Sequence, residues 1–153
     1  MKPFACAKIV GNEIMSNLYG NAYFYKAETG GIWIEIEVGG LPTNDSPNYS
    51  PFYGMHIHEV GNCTLTFEQT GGHFNPTNEQ HPNHAGDLPP LLNSNGYAYS
   101  LFYTNRLNSE NVLNKSLVIH SGTDDFKTQP SGDSGQKMGC GVIEPCKETE
   151  LDY

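Results

Sequence analysis

Ile32-Trp33-Ile34-Glu35-Ile36-Glu37-Val38 decides the fold. Apolar Ile32, Ile34, Ile36 and Val38 alternate with Trp33, Glu35 and Glu37. A period of two puts one set on each face of a strand, so the stretch reads as a half-buried β-strand. Similar patterns extend outward in both directions. Residues 4–10 and 21–28 read as strands before it, and residues 55–60, 97–103, 116–120 and 141–143 as strands after it. Connections rich in Gly, Pro, Asn and Ser separate them, and only residues 109–114 have the look of a helical turn. Many short strands between such turns predict an all-β antiparallel sandwich or barrel. Two connections are long, residues 61–92 and 121–138. A long structureless loop inside a compact domain is usually functional.

The 153 residues are expected to form a single domain over 1–153, with no internal repeat. The formal charge of -9 argues against a nucleic-acid or anionic-membrane partner, and an anionic substrate would need a local source of attraction. No stretch is long and apolar enough to span a membrane. The start, Met1-Lys2-Pro3-Phe4-Ala5-Cys6, lacks an apolar run with a cleavage site, so the expected location is the cytoplasm. A periplasmic or extracellular location would require a leader removed from this sequence. Four cysteines are few for a disulfide scaffold, and no pair has the CxxC spacing of a zinc site. Asn-X-Ser/Thr triplets at Asn48, Asn62 and Asn114 carry no weight without a secretory context.

The six histidines fall in three short stretches. His56 and His58, two apart on a strand, share a face and can reach one ion; such a pair can equally be two polar residues on a half-exposed strand. His73, His81, His84 and Asp87 offer three nitrogens and a carboxylate, a closed tetrahedral set for a structural zinc with bonds of roughly 2.0–2.2 Å. His120 ends an apolar strand, where a histidine alone is more often a hydrogen-bonded core residue. Asp124 and Asp125 follow it. An acidic pair in a loop is usually solvated, but beside a histidine cluster a carboxylate can hold a ligand's second N–H. Imidazole suits zinc and copper, so the pattern points to more than one metal.

Together these residues resemble the copper/zinc superoxide dismutase family. The carrying segments are Gly54-Met55-His56-Ile57-His58-Glu59-Val60-Gly61-Asn62-Cys63-Thr64, Gly72-His73-Phe74-Asn75-Pro76, His84-Ala85-Gly86-Asp87-Leu88-Pro89, Leu117-Val118-Ile119-His120 with Asp124-Asp125, and Gly139-Cys140-Gly141-Val142-Ile143. The resemblance implies an eight-stranded antiparallel Greek-key β-barrel, an Ig-like sandwich, with two long functional loops. It implies copper on His56, His58, His73 and His120, and zinc on His73, His81, His84 and Asp87, with His73 bridging. Asp124 would hydrogen-bond His56 and His81. Cys63 and Cys140 would form a disulfide, worth roughly 4–5 kcal/mol in the chain-entropy model. The implied activity is dismutation of superoxide, with His73 as proton carrier. Family members are monomers or dimers, so a homodimer stays open.

Three features depart from the family's pattern. Lys137, three before Cys140, stands where the family usually has an arginine, and a flexible point charge replaces a planar fork of donors. The connection over residues 43–53 is long. The loop over residues 121–138, long within this chain, is short for the family, as in bacterial members, and carries only Lys127 and Lys137 as positive charges. Cys6 and Cys146 lie on neighbouring strands of the implied fold, which leaves a second disulfide open; two buried free thiols are the first expectation. Two rival readings follow from the departures: a metal-binding relative that handles copper without turnover, and a zinc-only β-barrel that serves as an interaction module. All four copper positions being histidine counts against both.

Overall fold

The structure, a computed structural model, describes residues 1–147; the last six residues of the domain expected over 1–153 lie outside them. It is all-β. The strands are β1 (Ala5–Gly11), β2 (Tyr19–Lys26), β3 (Ile32–Gly39), β4 (Phe52–Tyr53), β5 (Met55–His58), β6 (Leu91–Leu92), β7 (Ala98–Thr104), β8 (Ser116–His120) and β9 (Lys137–Val142). Seven form one antiparallel sheet in the order β5-β8-β9-β1-β2-β3-β7. β4 and β6 form a separate two-stranded ribbon. The ribbon links the two edges of the large sheet, since β4 runs into β5 and β6 contacts β7. The sheet curls on itself, consistent with a Greek-key β-barrel: the chain crosses from β3 to β5, back to β7, and again to β8.

The alternation in β3 does what its period requires. Ile32, Ile34, Ile36 and Val38 are fully buried, while Trp33 stays partly in water. They pack with Phe24, Met55, Ile57, Leu91, Leu117 and Ile119 in one continuous core. β5 and β8 are buried along their whole length, so they read as apolar runs with histidines embedded rather than as alternating strands.

Two readings are corrected, and the turn read over residues 109–114 is held by side chains. Residues 109–114 form a hydrogen-bonded turn; Asn111 Oδ1 accepts from Asn108 N–H, and Asn108 Oδ1 accepts from the N–H groups of Glu110 and Asn111. Asn108 Oδ1 thereby satisfies the first N–H groups of the turn, as an N-cap side chain does. A kinked 3₁₀ segment at Leu65–Thr70 lies within the connection read as structureless. Cys6 and Cys146 are joined in a disulfide rather than free. The cause is register: Cys6 pairs with Glu144 in an isolated antiparallel bridge, which brings the Cα atoms of Cys6 and Cys146 to 4.9 Å. Two disulfides suit an oxidising compartment. Among the described residues no helix is long and apolar enough to cross a membrane.

Candidate metal centre

Among the described residues, the edge of β5 opposite β8 carries no regular strand. The long loop fills that place. His58 pairs with His73 and His56 with Asp87 as isolated antiparallel bridges. Ile57 N–H donates to the Gly86 carbonyl at 2.8 Å, and Phe74 N–H to the Ile57 carbonyl at 2.8 Å. A Cβ at Gly86 would run into the Ile57 carbonyl, so this close approach needs glycine. The backbone thus lays two loop ligand candidates beside the two strand histidines. β8 brings His120 alongside, and the first residue of β9, Lys137, pairs with His120 across a bulge.

Two groups of ligand atoms result. Those of His56, His58, His73 and His120 lie within 4.8 Å of one another, as do those of His56, His73, His81 and Asp87. His84 is not in the second group, but its Nδ1 stands 3.2 Å from His73 Nδ1 and 3.2 Å from Asp87 Oδ2. His73 faces both ways. Its Nδ1 lies 2.8 Å from Asp87 Oδ1, and its Nε2 is buried with no hydrogen-bond partner among the described residues.

Asp124 joins the groups from the second long loop. Its Oδ2 accepts from His56 Nε2 and its Oδ1 from His81 Nε2, each at 2.8 Å. Oδ1 also accepts from Phe126 N–H at 2.8 Å. Burial opposes ionisation of this carboxyl, but the hydrogen bonds from His56, His81 and Phe126 outweigh it and hold the group well below the usual carboxylate range. Asp87 behaves alike: burial pushes it up, and His73, His81 and His84 bring it down. Asp125 is exposed, and its carboxylate caps the turn of its own loop through the N–H groups of Lys127 and Thr128. The Cys63–Cys140 disulfide ties the first loop to β9, with Cα atoms 5.8 Å apart.

The sequence model of the copper/zinc superoxide dismutase family matches residues 18–143. The chain belongs to the copper/zinc superoxide dismutase family. It is 34% identical over 155 aligned residues to superoxide dismutase [Cu-Zn] 2 of Aquifex aeolicus, covering 91% of this chain and 85% of that one. It is 36% identical over 136 residues to superoxide dismutase [Cu-Zn] of Deinococcus radiodurans, covering 74% and 71%. Among solved structures, it resembles the crystal structure of the clock protein EA4, with a TM-score of 0.78, 25% identity, and coverage of 95% and 97%.

The metals that the family implies are copper and zinc, and the ring nitrogens test whether they fit. Gly71 and Gly135 carbonyls can only accept. They take His58 Nδ1–H at 2.8 Å and His120 Nδ1–H at 3.2 Å. That leaves His58 Nε2 and His120 Nε2 as lone pairs, 3.2 Å apart. Burial first, then neighbouring charges, keeps both rings neutral: His58 falls well below the ordinary histidine value and His120 is lowered to about 3. Two buried lone pairs aimed at each other are unfavourable unless a cation lies between them. His56 Nδ1 and His81 Nδ1 are buried without hydrogen-bond partners among the described residues. His81 Nδ1 does lie 3.1 Å from Asp87 Oδ2, but not in hydrogen-bond geometry. The donor set therefore fits copper on the all-nitrogen side and zinc on the side with a carboxylate.

Lys137 is partly buried and pairs with His120. Its Nζ donates to Thr70 Oγ1 at 2.8 Å and to the Gly71 carbonyl at 3.0 Å. Burial lowers its pKa, with Glu68 opposing. Several further residues serve the site without any sequence signal. Gln129 accepts from His81 N–H at 2.9 Å and donates to the His81 carbonyl at 2.8 Å, a side-chain amide acting as a strand partner. Arg106 donates to the Pro82 and His84 carbonyls at 2.7 and 3.2 Å. Gly132, with φ +72, packs where a Cβ would collide with Asp124 and stand 2.7 Å from His81 Nε2. Only a turn was legible around Gly132, and nothing marked Gln129 or Arg106.

Proposed function

We propose that this protein dismutates superoxide, with copper held by His56, His58, His73 and His120 and zinc by His73, His81, His84 and Asp87. The overall reaction takes two superoxide anions and two protons to dioxygen and hydrogen peroxide. The observation that carries the reading is the set of buried lone pairs, above all His58 Nε2 facing His120 Nε2 at 3.2 Å. Neutral imidazoles with an unpaired nitrogen lone pair are what a metal requires and what a hydrogen-bonded core histidine avoids.

Copper, when bound, supplies the one-electron chemistry, and zinc supplies a redox-silent positive charge. The remaining roles belong to the chain. Asp124 fixes the tautomers of His56 and His81 by accepting from both Nε2 atoms, which leaves each Nδ1 free to bind. His73 holds its place through Nδ1, against Asp87 and His84. Its Nε2 is the atom at which we put the proton delivered to the peroxide. Lys137 supplies local positive charge in a chain of net charge -9 and draws the anion toward the histidines. Asp125 has no part in this scheme.

The small-molecule substrate is superoxide, and no role for nucleic acid or membrane enters. A homodimer is tested by sedimentation at micromolar concentration. Two disulfides fit an oxidising compartment better than the cytoplasmic location read from the sequence.

The experiment is His58→Ala. The variant is expected to retain zinc and the fold and to lose dismutation. A His58→Ala protein that dismutates as fast as the parent would refute the copper assignment.

A further inference from the structure

A lysine in place of the family's usual arginine brings a flexible stem and a point charge where a rigid fork would be. Tethered only at Cα, such a charge spreads over many rotamers. Here it is held. The Lys137 ammonium donates to Thr70 Oγ1 at 2.8 Å and to the Gly71 carbonyl at 3.0 Å. Thr70 is fully buried. A third contact settles the direction of its hydroxyl, because Oγ1 donates its one hydrogen to the Phe67 carbonyl at 2.8 Å. The lone pairs of Oγ1 are therefore what Lys137 meets.

The segment that supplies the Phe67 carbonyl has an unusual backbone. Thr66 and Phe67 both take left-handed φ, 69° and 62°. That region is costly for β-branched and aromatic residues and persists where the surroundings impose it. The Gly71 carbonyl also accepts His58 Nδ1–H at 2.8 Å. One acceptor thus holds both a ring of the four-histidine group and the cation beside it. Two of the three ammonium hydrogens are used, and the third has no acceptor among the described residues.

We propose that Thr70 is a positioning residue for anion binding: its oriented hydroxyl, with the Gly71 carbonyl, fixes the Lys137 ammonium so that the third N–H serves a small anion beside the histidines. The inference rests on the superoxide reading above. Thr70 acts through Lys137 and does not itself touch the anion.

Azide is the probe, titrated into protein loaded with copper and zinc and followed by the copper absorption band. The comparison takes the parent, Thr70→Val, Thr70→Ser, Lys137→Met and the Thr70→Val/Lys137→Met double variant. Valine keeps the shape of threonine and removes the acceptor. Azide affinity in Thr70→Val is expected to fall about threefold to tenfold, less than the full scale of a hydrogen bond to a charged donor because the Gly71 carbonyl still holds the ammonium. Thr70→Ser should stay within about twofold of the parent, because its hydroxyl keeps the same bonds. The double variant should bind azide as Lys137→Met does, since the threonine has nothing left to position. Metal content and the azide-free spectrum should not change. If Thr70→Val does not fold, Thr70→Ala removes the same acceptor without adding bulk. Parent-like azide affinity in Thr70→Val, or an equal loss with and without Lys137, overturns the role of Thr70. A fully copper-loaded parent with no response to azide overturns the anion site itself, and with it the superoxide reading.

Discussion

Replacing Asp124 by asparagine removes a carboxylate that three N–H groups share and leaves an amide with a single acceptor oxygen. In the structure Oδ2 takes His56 Nε2–H, and Oδ1 takes His81 Nε2–H together with Phe126 N–H. The amide NH₂ must face at least one of these donors. A histidine so placed escapes by moving its proton to Nδ1, the nitrogen proposed to bind metal. A hydrogen bond to a charged acceptor contributes about 1.5–3 kcal/mol. At about 1.4 kcal/mol per decade, Asp124→Asn is expected to lower metal affinity by one to two decades, the usual scale for residues that orient a metal ligand. Divalent copper binds nitrogen sites more tightly than zinc does, so zinc occupancy should fall first as a chelator is raised. Dialysis against graded chelator followed by elemental analysis measures both metals. Asp124→Asn protein that retains both at the parent's chelator concentrations would refute the reasoning from tautomers.

Gly132→Ala should copy much of this loss, because its Cβ would stand 2.7 Å from His81 Nε2 and push into Asp124; unchanged metal retention would show that the loop yields without cost. Cys6→Ser opens a closure spanning 140 residues, and the melting temperature should drop by roughly 10 °C for a loss of about 3 kcal/mol. An unshifted melt under non-reducing conditions would contradict it. Metal-free protein should lose stability on acidification. His120 sits at about 3 in the folded chain, against about 6.5 unfolded, so between these values the unfolded chain takes up the proton and gains. His120 alone should cost about 2 kcal/mol between pH 8 and pH 5. Urea melts of the metal-free form at those two pH values check this, and equal midpoints would count against it.

How much was legible in the sequence depended on the range of the interaction concerned. The period of two in β3 is a local property, and it names its buried residues correctly. Embedded histidines in β5 and β8 were visible because they interrupt apolar runs. The β4–β6 ribbon was not, since two residues per strand show no period. The resemblance put Cys6 and Cys146 on neighbouring strands, but they lie far apart in the chain, and only the pairing of Cys6 with Glu144 sets the register that joins them. Thr70, Gln129 and Arg106 escaped notice for the same reason. Each is an ordinary polar residue whose partner lies more than twenty positions away. By residue type Asp125 looked equivalent to Asp124, and only the family resemblance singled out Asp124, which points inward at 3% exposure. The choice between adjacent carboxylates depends on loop conformation, which residue type does not record.

Superoxide decay after pulse radiolysis, on protein carrying one copper and one zinc per chain, tests the central claim most directly. The account predicts a second-order rate approaching the diffusional ceiling of roughly 10⁹ M⁻¹s⁻¹, falling as salt is raised from low to physiological concentration because a local cation guides an anion. No acceleration over the spontaneous decay, despite full copper loading, would contradict it and leave a protein that binds copper without turnover.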